Sequence, residues 1–298
     1  MPHLHHTASG SSGSALLTLV IVFTALVYVR GWLRLRSSSL NAIAPWRAAG
    51  FLLGLSLIWV GVASPIGALD HELLTVHMVQ HLLLMTLAPP LIWLGAPVMP
   101  LLQGLPRQFV QGVIRPVFGW SPLQRLGRAL GQPAFCWLAA CAVLMGWHIP
   151  ALFALGLRSE VWHGIEQSSF LVSGLLFWWP VIQPWPSVSR WPEWSILLYL
   201  FLATLPCDIL SGFLVFCDRV VYPGYFASAK PLGFSALEDQ QCAGALMWTC
   251  VTVVYLVAGT ILTTHLLSPR RSREYELAKA ELPNSAVPQE VPQSLEAL

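Results

Sequence analysis

Apolar runs long enough to cross a bilayer recur along this chain, separated by short polar or proline-rich breaks. Read in windows of about 19 residues, they predict seven helical spans, near residues 14–32, 47–64, 72–94, 133–149, 161–182, 195–217 and 240–267. The expected fold is an all-α, polytopic membrane helix bundle of seven transmembrane helices. Residues 1–13, a Ser-, Gly- and His-rich stretch, read as a flexible periplasmic N-terminus, and 14–267 as the seven-helix transmembrane domain. Residues 268–298, polar and carrying Pro283, Pro288 and Pro292, read as a disordered cytoplasmic tail. In the second span Gly50, Gly54 and Gly61 leave small faces for close helix contact. Between the third and fourth spans, the stretch from Phe109 to Phe118 is partly amphipathic and is expected to lie along the membrane surface.

Composition agrees with the pattern: 55% of residues are hydrophobic and 10% charged, with 14 tryptophans, and mean hydropathy is +0.63. A soluble domain is excluded. The net charge of +2 matters less than its distribution. With alternating spans, 13 basic residues fall on one side and 3, Arg158, Arg219 and Lys230, on the other. By the positive-inside rule the N-terminus is outside and the C-terminus cytoplasmic, as expected for a multi-pass protein of a bacterial plasma (inner) membrane. No basic patch is interleaved with aromatics, so nucleic acid is not an expected partner. The six cysteines form no CxxC pair and no zinc-finger spacing.

The candidate chemistry gathers in the third span, where His77 and His81 are four residues apart. On a helix that spacing puts them on one face, about 6 Å apart along the axis. Imidazole within a lipid span is costly unless it faces protein or metal, so it marks a functional site. Met85 continues the same face one turn deeper; Asp70 lies about two turns the other way or, with Glu72, caps the helix. In the predicted topology His148 at the end of the fourth span and His163, Glu166 and Gln167 at the start of the fifth lie at the same outer depth. Asp239, Gln240 and Cys242 at the start of the seventh join them there. Metal ligands are expected at His77, His81, His148 and His163, with Asp239, Gln240, Glu166, Gln167, Met85, Met145 and Cys242 in support. Imidazoles beside methionines suit copper better than zinc. His3, His5 and His6 form a mobile arm able to catch metal weakly, and His265, near the cytoplasmic end, reads as structural.

Four motifs carry a resemblance: HMVQH at 77–81, WHIP at 147–150, HGIEQ at 163–167 with FWWP at 177–180, and EDQQCAGALMW at 238–248. Over residues 45–266 the chain resembles the multi-span CtaG family of cytochrome c oxidase assembly factors. The resemblance implies a plasma-membrane protein needed to make a haem-copper oxidase, handling copper for it at the outer face. Its partners would be oxidase subunits or copper chaperones in the membrane or periplasm. The positions that match are His77, His81, His148, His163, Asp239 and Gln240; Cys242 is outside what the resemblance supports. On this reading the protein is not an enzyme. The residues alone leave other readings open: a zinc hydrolase with Glu166 as general base, a b-type haem protein, a copper-uptake protein, or a scaffold without metal.

Overall fold

The architecture is given by a computed structural model describing residues 6–37, 43–64, 69–183, 191–225, 233 and 235–267. The described residues contain helices and turns but no strand. In chain order the helices are α1 (His6–Ser37), α2 (Pro45–Val62), α3 (Leu74–Leu94), α4 (Val98–Gly104), α5 (107–119) and α6 (Ser121–Leu130). After these come α7 (Pro133–Trp147), α8 (Pro150–Arg158), α9 (Glu160–Ile182), α10 (Glu193–Phe216) and α11 (Ala236–Leu266).

Each expected span coincides with a helix to within a few residues, except that α1 begins at His6, eight residues earlier than the expected start at 14. His3, His5 and the expected tail 268–298 lie outside the described residues. Among the described residues five helices are both long and apolar enough to cross a membrane: α1 from Gly13, α2, α3, α10 from Trp194, and α11. A sixth is reached only if α6 and α7 count together across a 68° bend. With 15 residues, α7 alone rises about 22 Å, short of the ~30 Å hydrocarbon layer. In contrast α9 has the length, at 23 residues, but Glu166, Gln167 and the Trp178-Trp179-Pro180 run dilute its apolar character. Large side chains such as Leu16, Leu19, Phe23, Phe201, Ile209 and Leu256 are more than 60% exposed, as a lipid-facing surface requires and a soluble one would not tolerate in such number. Phe109, Val113, Val117 and Phe118 on α5 are also exposed, as are Trp120 and Leu126 beside the arginines of α6, the pattern of a surface-lying segment.

The helix that carries His77 and His81 is shaped by its own prolines. Pro89 and Pro90 have no N–H to give the carbonyls four residues before them, and one turn of α3, Leu83–Leu87, is π-helical. Trp178 from α9 donates its indole N–H to the Met85 carbonyl at 3.2 Å, and Trp93 donates to the Leu175 carbonyl at 2.8 Å. Gly174 lets the two backbones close between these bonds, since a Cβ there would sit 2.7 Å from the Met85 oxygen. These contacts place the polar halves of α3 and α9 side by side. On the other flank α2 packs its glycine-bearing face on α3, with Phe51, Leu55 and Ile58 buried beside Leu84 and Ala88.

Candidate metal centre

The site lies where α3, α9 and α11 begin and α7 ends. Leu73 is extended and Leu74 opens α3, yet neither Asp70 nor Glu72 supplies the cap. It comes from 165 residues away: the Asp239 carboxylate accepts the Leu74 N–H at 2.7 Å and the Thr75 N–H at 3.1 Å, and the Thr75 hydroxyl donates to it at 2.6 Å. Asp239 is free for this because α11 has its own cap, a reciprocal box between Ser235 and Glu238. Gln240, fully buried, accepts the Val221 N–H at 2.7 Å and donates to the Arg219 carbonyl at 3.2 Å, fixing the loop between α10 and α11. That loop in turn supports the site, for Tyr222 donates to the His148 carbonyl at 3.0 Å and Tyr225 to the Asp70 carbonyl at 2.7 Å. Burial pushes both phenol pKa values up, so both remain donors.

With α3 anchored, His77 and His81 face α9. Their ring centroids are 4.4 Å apart in a T-shaped arrangement, and the Nε2 atom of each lies 3.4 Å from the same oxygen, Glu166 Oε1. Glu166 is 0% exposed, His77 1% and His81 5%. Neither oxygen of Glu166 and no ring nitrogen of either histidine has a hydrogen-bond partner among the described residues. Buried polar atoms are almost always paired, so three buried side chains without a hydrogen bond, two of them directing Nε2 at one carboxylate oxygen, mark a candidate site. One donor atom from each of the three lies within 4.8 Å of the others, a separation a metal ion can bridge. The room for Glu166 comes from Gly156 on α8, where a Cβ would meet Oε2 at 2.5 Å.

A second group of three, Asp70, His77 and His163, shares His77 with the first. His163 Nε2 lies 3.3 Å from Asp70 Oδ2 and 3.2 Å from the Gln167 amide nitrogen, and the Gln167 amide reaches Gln80 at 3.5 Å. His71 Nε2 is 3.6 Å from the other Asp70 oxygen. His148 stands slightly apart, its ring 6.1 Å from that of His81. Its Nδ1 contacts the Leu144 carbonyl at 2.7 Å, which places the proton there and leaves Nε2, buried and unpaired, with its lone pair available.

The four expected ligands therefore gather, with Glu166 between two of them instead of in an outer supporting position. Asp239 and Gln240 brace backbone and touch no imidazole. Met85 lines a cavity next to His81, but Met145 is 41% exposed and Cys242 is exposed, so neither faces the cluster. His265 is exposed. Asp70 was expected two helical turns from His77 or as the cap of α3; it sits instead in a turn before α3 and meets His163. His71, in the same turn, and Gln80 were missed as site members.

The fold and the site define a helical membrane protein with a buried cluster of imidazoles and carboxylates at one end. The chain belongs to the cytochrome c oxidase caa3 assembly factor family (Caa3_CtaG), whose pattern matches residues 26–268. Similar curated proteins include uncharacterized proteins of Mycobacterium bovis and Mycobacterium tuberculosis, each 28% identical over 265 residues, 85% of this chain and 39% of the relative. One of Mycobacterium leprae is 22% identical over 288 residues, 90% of this chain and 42% of the relative. The chain thus spans about two fifths of the length of these relatives. No solved structure matches it.

Proposed function

We propose that this protein assists assembly of a bacterial haem-copper cytochrome c oxidase by holding copper transiently at His77, His81 and Glu166. In this reading it spans the inner membrane seven times, N-terminus outside and C-terminus cytoplasmic, so the cluster lies near the outer face. Family membership supports the assembly role, and the 13-to-3 division of basic residues supports the orientation. The observation that carries the copper reading is the approach of His77, His81 and Glu166, buried and without hydrogen bonds, each with one donor atom within 4.8 Å of the others. Glu166 supplies the negative charge that a cation needs in a medium of low dielectric. His163 and His148, with Asp70, offer positions to which the ion moves on arrival or departure, so it is exchanged without being locked in. Copper here is cargo, delivered to oxidase subunits or received from a chaperone at the helix ends.

The test is complementation of a strain lacking the protein, with the wild-type chain or with His77→Ala/His81→Ala. Copper bound per purified protein and oxidase activity of the membranes are measured side by side. Loss of both in the variant, at unchanged protein level, is expected; normal copper and full oxidase activity would overturn the reading. A second reading has one observation in its favour: two imidazoles and a carboxylate are also the donor set of zinc hydrolases. Stoichiometric zinc with hydrolytic turnover in the wild-type protein would favour it.

A further inference from the structure

Beside His81 and His148, which form part of its wall, the bundle holds a partly open cavity of about 40 Å³. Three of the chain's six methionines and two of its six cysteines line it: Met78, Met85 and Met247, with Cys141 and Cys207. They come from three sides, α3, α7 with α10, and α11. Met78 and Met247 are 1% and 3% exposed and Cys207 is 3% exposed, so these groups do not face lipid or water. The rest of the wall is apolar apart from Thr86, Tyr255 and the two imidazoles. Thioether and thiol donors select soft monovalent metal over zinc or other borderline cations, and an unbranched methionine can swing its sulfur to suit an ion without backbone movement.

We propose that this cavity is a second metal site, a sulfur-lined chamber for Cu(I), continuous with the imidazole-carboxylate cluster through His81 and His148. It rests on the copper reading given above and extends it: the outer cluster admits the ion and the chamber selects its oxidation state. Zn(II), content with imidazole and carboxylate, stops at His77, His81 and Glu166. Cu(I) goes on to the sulfurs. The ion remains Cu(I) throughout, and no electron is exchanged.

The full chain, purified in detergent without oxygen, is titrated with Cu(I) against a chromophoric chelator and separately with Zn(II), and its copper X-ray absorption spectrum is recorded. In the wild type the Cu(I) spectrum is expected to show sulfur neighbours. Met85→Leu/Met247→Leu conserves volume; it is expected to weaken Cu(I) at least tenfold and to leave Zn(II) affinity within twofold, which also reports an intact fold. A wild-type spectrum with nitrogen and oxygen neighbours only overturns the chamber whatever the variant does. So does a variant that binds Cu(I) as the wild type does. A His77→Ala/His81→Ala protein that still holds Cu(I) among sulfurs would support the chamber while removing the outer cluster from the copper path.

Discussion

Gly156→Ala tests Glu166 without touching any ligand. The new methyl group would lie 2.5 Å from Glu166 Oε2, where ordinary contact begins near 3.5 Å, so the carboxylate must retreat by about 1 Å. A surface glutamate would swing aside at no cost, but this one is 0% exposed and lies against His77 and His81. Two effects on stability oppose each other. Alanine improves the helix by about 1 kcal/mol, and overpacking costs about 1–3 kcal/mol; the net loss is therefore at most about 2 kcal/mol and the protein folds. Metal–ligand distances tolerate only about 0.2 Å, so a carboxylate displaced five times as far no longer closes the site. Copper affinity is expected to fall by about 10- to 100-fold, the range for misplacing a metal's supporting groups. Competition with a chelator gives the affinity, and a thermal melt of the same sample gives the stability. Unchanged affinity in a protein with a lowered melting temperature would refute the placement of Glu166 at the metal.

Asp239→Asn should behave in the opposite way: with one acceptor lost at the start of α3, stability falls by about 1–2 kcal/mol, while copper per folded molecule stays at the wild-type level. Loss of copper at unchanged melting temperature would instead make Asp239 a ligand. Tyr222→Phe removes the hydrogen bond to the His148 carbonyl and should cost about 1 kcal/mol, read as a small drop in melting temperature with oxidase activity preserved.

The helices were legible because lipid makes the rule simple: every backbone polar group must be satisfied within its own segment, so long apolar runs have one solution. His77 and His81 were legible for the same reason, since four-residue spacing survives any packing of the helix. The role of Asp239 was not. Its partners are 165 residues away, and an aspartate near a helix start reads locally as the cap of its own helix, a task that Ser235 performs. Glu166 looked like a supporting residue because it stands one turn beyond His163. Only the pairing of α3 with α9, fixed by Trp178, Trp93 and Gly174, turns it toward His77 and His81. The π-helical turn after Leu82 was not foreseen from Pro89 and Pro90, and its consequence, a bared Met85 carbonyl for Trp178, depends on the neighbouring helix.

The contrast between the two kinds of polar group at this end of the bundle points to what the fold was selected for. Asp239, Gln240, Tyr222 and Tyr225 are buried and fully engaged, each tying a loop or helix start in place. Beside them His77, His81 and Glu166 are buried with only the two 3.4 Å Nε2–Oε1 approaches between them, and His148 Nε2 has no hydrogen bond. A buried polar atom left without a hydrogen bond costs about 1–3 kcal/mol, and a helix pair free to relax would turn these groups out to water. The engaged set opposes that rotation, so the bundle keeps them buried at a standing cost. Binding of a cation would relieve that cost with no rearrangement of the helices, which is what the copper reading proposed above requires of the site.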